Sequence, residues 1–403
     1  MKKLLQINTV ANIGSTGRIA EGIGQVAIDN GWESFIAYGR EANNSNSQLI
    51  KVGSKLDAAI HGLQTRIFDS HGLGSVIATE KLIVKINGIK PTIIHLHNIH
   101  GYYLNYKILF AYLLKSKIPV VWTLHDCWPF TGHCVYYDFV NCKKWQTECF
   151  NCEQKKSYPS SLLVDRSTKN FYDKQKTFNA ITNLTLVPVS NWLHTELKKS
   201  FLKEKDAEVV HNGIDLNVFK PSEDKEIYFP DKSVILGVAN DWVERKGFFE
   251  FKRLSTLISD KFIIVLIGLT PDKIKTLPKN MIGIEKTNNV EELVKYYTEA
   301  MVFFNPTYED NFPTTNLESL SCGTPVITYD TGGSPEAIDS ETGYIVKKND
   351  INTVYSTIKR LEKEDQNKIK MACRKRAEKM FDKNNKFKEY LTIYNKILKN
   401  AKK

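Results

Sequence analysis

Along the chain, short uninterrupted apolar runs alternate with longer stretches in which apolar positions recur at helical spacing. The runs of the first half are LLQINT, SFIAY, TIIHLH, PVVWTLH and LTLVPVS. Those of the second are AEVV, SVILGVA, KFIIVLIG, AMVFFNP and TPVITY. Strands apolar at consecutive positions are buried on both faces, so the pattern predicts parallel sheets covered by helices. The series breaks near VVHNGIDLNVFKP, where Asn212 and Gly213 make a turn and Pro221 opens a polar stretch. An α/β protein of two nucleotide-fold halves is therefore expected, the first over 1–208 and the second over 209–380. From Ile351 onward the pattern is helical and lysine-rich, with no further strand.

Length agrees with that division, because 403 residues exceed what one ordinary core accommodates. The opening MKKLLQINTV is basic and then apolar, but its apolar run is short and a polar loop follows it. It reads as a first strand rather than a leader, and no segment approaches the roughly 20 apolar residues of a membrane span. A cytoplasmic protein is expected. The formal charge of +11 favours anionic partners such as phosphates or acidic lipid surfaces, or else marks a solvated lysine-rich surface. The lysines are scattered and no nucleic-acid-binding signature accompanies them, so nucleic acid is not an expected partner.

Doubly wound sheets bind ligands beyond the carboxyl ends of their strands, which directs attention to the following loops. After the first strand comes NTVANIGSTGRIAEG. It lacks both the G-x-G-x-x-G fingerprint and a Walker lysine, which weakens the case for a nicotinamide enzyme or an ATPase. Gly14 and Gly17 either let a ligand approach the backbone at a helix N-terminus or simply form a tight turn. In the second half, PTYEDNFPTTNLESLSCGTPVITYDTGG carries Pro313 at a helix start and Gly323 with Pro325 at its stop. The amides of Thr314 and Thr315 would form an anion site suited to a diphosphate. Glu318, about one turn further in, would reach a ribose, or would be a buried capping carboxylate. Asp310 lies before the helix and could face a second polyol. A sugar nucleotide fits that order.

The same order resembles glycosyltransferase family 4, retaining enzymes of the GT-B fold. The family motif of two acidic residues with seven residues between them, then Gly-x-Pro, a strand, a glycine pair and Pro-Glu, is matched by Asp310, Glu318, Gly323, Pro325, Gly332, Gly333, Pro335 and Glu336. Asp310 stands where the family has Glu. ANIGSTGR resembles the glycine loop, HLHN and TLHD the two histidine segments, and VPVSNWL and HNGID, with Asn212, the interdomain crossing. VANDWVERKGF resembles the segment that supplies an arginine and a lysine to the diphosphate. Lys246 matches the lysine, Asp241 occupies the arginine's place, and Arg245 is the available substitute. GYYLN, HDCWPFTGHC and the cysteine run are similar to the colanic-acid and exopolysaccharide branch.

The resemblance implies two facing Rossmann-like domains with a nucleotide-sugar cleft between them, and a final segment, 381–403, returning to the first domain. It implies transfer of a hexose, with retention, from a nucleotide-diphosphate sugar to a saccharide or lipid-linked acceptor in cell-surface polysaccharide assembly. His125, Asp310 and Lys246 would be catalytic. Gly14, Gly17, His97, Asn212, Arg245, Lys246, Thr314, Thr315 and Glu318 would bind the donor. No Asp-x-Asp sequence occurs, so catalysis without a metal or other cofactor is expected. The competing readings are a catalytically silent nucleotide-sugar binder, or an epimerase or phosphorylase on the same fold.

Two features stand outside that scheme. Cys134, Cys142, Cys149 and Cys152 fall close together and end in C-x-x-C, which suits a structural zinc knuckle, free thiols or a redox pair. In KLDAAIHGLQTRIF, Leu56, Ile60, Leu63 and Ile67 form an apolar stripe beside Lys55, His61 and Arg66. The stripe either packs on the first sheet or stays open against an anionic bilayer carrying a lipid-linked acceptor.

Overall fold

The computed structural model describes residues 1–224 and 228–400. The last three positions of the expected segment 381–403 lie outside the described residues. Contacts divide the chain into two compact units, Met1–His211 with Asn384–Lys403, and Asn212–Lys383. Both divisions fall three residues beyond the expected positions.

The first unit is built on β1 (Lys3–Asn8), β2 (Glu33–Tyr38), β3 (Gln48–Lys51), β4 (Ile93–Leu96), β5 (Val120–Leu124), β6 (Leu184–Pro188) and β7 (Asp206–Ala207). These form one parallel sheet in the order β3-β2-β1-β4-β5-β6-β7, with Lys3 opposite Glu33 and Leu4 opposite Ile93. The second unit holds β8 (Ser233–Val238), β9 (Phe262–Ile267), β10 (Met281–Ile284), β11 (Val302–Asn305), β12 (Val326–Tyr329) and β13 (Gly343–Val346), ordered β10-β9-β8-β11-β12-β13. Each sheet reverses its order beside its first strand, between β1 and β4 and between β8 and β11. That reversal opens a crevice at the carboxyl ends, the general ligand position of doubly wound sheets.

One expected strand belongs elsewhere. AEVV is expected in the second half, yet β7 ends at Ala207 and pairs with β6 of the first sheet. Glu208 N and Val210 N continue the ladder by donating to Leu186 O and Pro188 O, so the segment completes a sheet already under construction. The short strands β3, β10 and β13 have no expectation behind them.

Burial follows the apolar runs. Leu4, Ile93, Val121 and Val187 are fully enclosed in the first unit. They share one core with Ile19, Ile23 and Val26 of α1 (Gly14–Asp29) and with Phe387, Tyr390 and Tyr394 of the helix Lys383–Asn400. The last helix thus fills a groove of the first unit's core. No helix among the described residues is long and apolar enough to cross a membrane.

Candidate functional site

In the first unit the candidate residues sit on the loops after β1, β4 and β5. Residues 10–13 follow β1, and α1 starts at Gly14 with no side-chain cap, leaving first-turn amides without intrahelical partners. Gly14 has φ +60, and the space where a Cβ would project is open. Gly17 differs: a Cβ there would come 3.1 Å from Asn12 N and from the Val10 side chain. The two glycines therefore serve different ends. Gly14 leaves room beside the backbone, whereas Gly17 lets the helix press on its own loop, the tight-turn alternative for that position.

His97 and His125 end β4 and β5 as neighbours. Their rings stack at 5.4 Å, and His97 Nδ1 lies 3.1 Å from His125 Nε2. His97 Nε2 lies 3.0 Å from Gln6 Oε1, while Gln6 Nε2 donates to Ala20 O at 2.7 Å. These contacts fix the protons. Ala20 O can only accept, so Gln6 turns its NH2 toward it and its carbonyl oxygen toward His97, which must then carry its proton on Nε2. His97 Nδ1 accepts from His125 Nε2–H, and the neutral His125 ring keeps Nδ1 as its acceptor. Burial holds His125 down at about 4 and His97 well below the usual imidazole range, so both rings are neutral near pH 7. Behind them His95 bonds Tyr394 Oη at 2.7 Å and Thr123 Oγ1 at 2.8 Å. Next to His125, Asp126 Oδ2 meets His100 Nε2 at 2.7 Å and Oδ1 accepts from Trp128 N at 3.0 Å.

His97 is fully enclosed, so it reaches a ligand only through His125. Sequence reasoning missed Gln6. Its only signal was one polar position inside the apolar run LLQIN.

In the second unit the residues gather after β8 and β11. The turn Glu244–Lys246 abuts the end of β11, where Tyr308 N donates to Arg245 O at 2.7 Å and Arg245 Nη1 donates to Glu309 O at 3.2 Å. Lys246 Nζ lies 2.5 Å from Asp310 Oδ2, both side chains mostly covered. Asp241 is exposed. Arg245 is thus fastened to the acidic loop, from a backbone position different from the family arginine's.

The glycine pair explains how Asp310 is held. Gly333 N donates to Asp310 O at 3.1 Å. Gly332 has φ +53, and a Cβ there would fall 1.8 Å from Asp310 O, so only glycine lets the two loops touch. On the other side, Tyr308 and Tyr329 both donate to the buried Glu250 carboxylate, at 2.9 and 2.6 Å. Their shared acceptor braces the segment beside Asp310.

The helix Thr314–Ser321 begins after Pro313 with no side-chain cap. Thr314 and Thr315 are half-buried, and their amides occupy the positive end of the helix dipole. Glu318 accepts from the buried Tyr297 Oη at 3.0 Å, an orienting partner that the sequence did not reveal. Asn212 is buried, and its Nδ2 donates to Phe312 O at 3.3 Å, so it anchors the loop before the helix.

The cysteines do not form the expected knuckle. Cys134 and Cys152 hydrogen-bond one another, which brings Cys152 to about 7. The Cys149 sulfur accepts from Gly132 N at 3.2 Å. Among the described residues no group of three or more His, Cys, Asp or Glu side chains is arranged to hold a metal ion. The zinc role expected from the spacing of Cys134, Cys142, Cys149 and Cys152 thus finds no matching group among the described residues.

Two consecutive parallel sheets of one strand order, with candidate residues on the loops at each order reversal, define the GT-B class of glycosyltransferase. Family models match both halves: residues 36–218 match Glycosyltransferase Family 4 and residues 219–380 match Glycosyl transferases group 1. The chain belongs to the family 4 glycosyltransferases. It is 25% identical over 369 residues to WcaC, a protein of Escherichia coli (strain K12) assigned to colanic acid biosynthesis as a glycosyl transferase, covering 86% of this chain and 88% of that one. It is 26% identical over 216 residues to the N,N'-diacetylbacillosaminyl-diphospho-undecaprenol alpha-1,3-N-acetylgalactosaminyltransferase of Campylobacter jejuni, covering 50% of this chain and 57% of the other. Among solved structures, sucrose-phosphate synthase of Thermosynechococcus elongatus shares the fold with a TM-score of 0.70 at 16% identity, over 99% of this chain and all of that one. HepE of Anabaena, solved with UDP, aligns with a TM-score of 0.69 at 12% identity over 98% of this chain and all of that one.

Proposed function

We propose that the protein transfers a hexose from a nucleotide-diphosphate sugar, with retention at the anomeric carbon, to a saccharide or lipid-linked acceptor in cell-surface polysaccharide assembly. The observation that carries this reading is the loop cluster of the second sheet, where the Lys246–Asp310 pair and an uncapped helix start at Thr314 stand one short segment apart. The relatives assigned to colanic acid assembly and to a diphospho-undecaprenol acceptor support the acceptor class.

Each residue then has a task. The Thr314 and Thr315 amides and the Lys246 ammonium meet the diphosphate, whose negative charge grows as the glycosidic bond breaks. Arg245 adds positive charge from the adjoining turn. Asp310 holds Lys246 in place and meets hydroxyls of the donor sugar. Glu318, oriented by Tyr297, accepts from the ribose hydroxyls. In the first unit, Gly14 leaves the start of α1 open to an anion. His125, at the end of β5, is the first unit's candidate to contact a sugar hydroxyl. The departing phosphate takes the acceptor's proton, so no protein base is required.

A panel of nucleotide sugars in a thermal-shift assay tests this. A ligand at one hundred times its Kd stabilises by about 2.7 kcal/mol. At least one nucleotide-diphosphate sugar should raise Tm, and Lys246→Ala should abolish the shift. No shift with any of them would defeat the reading.

A further inference from the structure

Two helices of the first unit present the wrong side to water. In α2 (Lys55–Phe68) the fully buried residues are His61 and Thr65, not the aliphatic stripe. His61 Nε2 accepts from Gly72 N and Gly74 N, both at 3.2 Å, its Nδ1 bonds Ser75 Oγ at 2.9 Å, and Thr65 Oγ1 donates to His61 O at 2.9 Å. With the polar face satisfied inside, the apolar face is left outside. Leu56 is 69% exposed, Leu63 is 56% exposed, and Ile60 is open as well. Packing on the sheet, one of the two placements open to this stripe, is thereby excluded for Leu56, Ile60 and Leu63.

The exposed stripe has company. Leu162 N donates to Arg66 O at 2.7 Å and Val164 N to Ile67 O at 3.3 Å, which lays the loop 162–164 along the end of α2. Leu163 on that loop is 71% exposed. The same His61–Ser75 bond ties α2 to the start of α3 (Val76–Ile89), where Ile77 is 65% exposed. Three chain segments thus turn aliphatic side chains outward from one region.

Charge indicates what covers them. Lys55, Arg66 and Lys81 stand on the same two helices, all exposed, on a chain of formal charge +11. Long basic side chains flanking aliphatic tips are the arrangement that enters a bilayer interface, the tips among the acyl chains and the cations at the headgroups. A tight protein contact would instead exclude charge from its centre.

We propose that α2, the start of α3 and the loop 162–164 dock this protein on an anionic lipid bilayer. The inference rests on the proposed lipid-linked acceptor only for its purpose. The surface itself stands on exposure and charge, and it places the enzyme where an acceptor anchored in lipid would be presented.

The test uses the full chain and two vesicle types, pure phosphatidylcholine and phosphatidylcholine with phosphatidylglycerol, in a sedimentation assay. The protein should sediment with the anionic vesicles at low salt and be released at high salt. The triple change Leu56→Gln, Ile60→Gln, Leu63→Gln and the double change Lys55→Glu, Arg66→Glu should each lower the bound fraction at least tenfold. Both variants should keep the Tm and the nucleotide-sugar thermal shift of the parent, which separates loss of docking from misfolding and from failure of the donor reading. Equal binding to both vesicle types, or variants that bind like the parent, would overturn the proposal. So would a concentration-dependent dimer that the triple change dissociates while no vesicle binding is seen.

Discussion

His97 Nδ1 and His125 Nε2 lie 3.1 Å apart, and that one contact carries the orientation of Gln6 to the end of β5. Because Gln6 is committed to Ala20 and His97 to Gln6, the tautomer of His125 is set by a residue two strands away. Gln6→Leu leaves His97 Nε2 without its acceptor, and the imidazole protons can redistribute. The variant should fold, lower kcat about tenfold with a smaller change in KM for the donor, and shift the histidine 15N resonances from a single Nε2–H form toward a mixture. His125→Ala should lower turnover by at least tenfold with the fold retained. Unchanged 15N tautomers in Gln6→Leu would dismiss the relay.

Gly332→Ala tests how the acidic loop is held. A methyl group 1.8 Å from Asp310 O cannot be accommodated at a φ of +53 without moving one of the two loops. Nucleotide-sugar affinity should fall at least tenfold, about 1.4 kcal/mol, and Tm should drop. Full affinity, measured by calorimetry, would mean that the position of Asp310 does not matter to the donor.

Glu318→Gln should weaken binding of the free nucleoside diphosphate about tenfold, because an amide accepts ribose hydroxyls less well than a carboxylate. Tyr297→Phe, which removes the hydroxyl 3.0 Å from Glu318, should produce a smaller loss in the same direction. An affinity for the free diphosphate that neither change alters would take the ribose contact away from Glu318.

Acid should weaken the first unit. Burial lowers His61 and His125 to about 4, and His71, His95 and His97 well below their ordinary value. The unfolded chain takes up these protons near pH 6.5, so stability is complete above that pH and falls as pH drops toward 4. At pH 5, His61 and His125 each account for about 2 kcal/mol of the loss. Calorimetry should show Tm lower by roughly 10 °C or more at pH 5 than at pH 7, and His61→Gln should shrink the difference. A flat profile would contradict the buried neutral cluster.

The sheets were legible because LLQIN, VVWTL and FIIVLI are apolar at nearly every position, which only a strand covered on both faces tolerates. The loop PTYEDNFPTTNLESL was legible because proline and glycine punctuate it. What failed did so for tertiary reasons. AEVV pairs by backbone, which ignores side-chain pattern. The partners of Asn212 and Gly17, Phe312 O and the loop 10–12, lie far off in sequence or across a turn, and spacing does not show them. The cysteine spacing gave no view of the Gly132 amide that claims Cys149. The stripe of α2 misleads most plainly, since periodicity locates an apolar face but not the side on which the rest of the protein lies.

The central claim is sugar transfer with retention, and the product's anomeric proton reports it directly. The full chain, incubated with an α-configured nucleotide-diphosphate hexose and a saccharide acceptor in the presence of chelator, should release the nucleoside diphosphate. NMR should show a product with the small anomeric coupling of an α-linkage for a gluco-configured donor. A β-linked product would contradict retention. Absence of both transfer and donor hydrolysis, with a donor that binds, would make the protein a silent nucleotide-sugar binder.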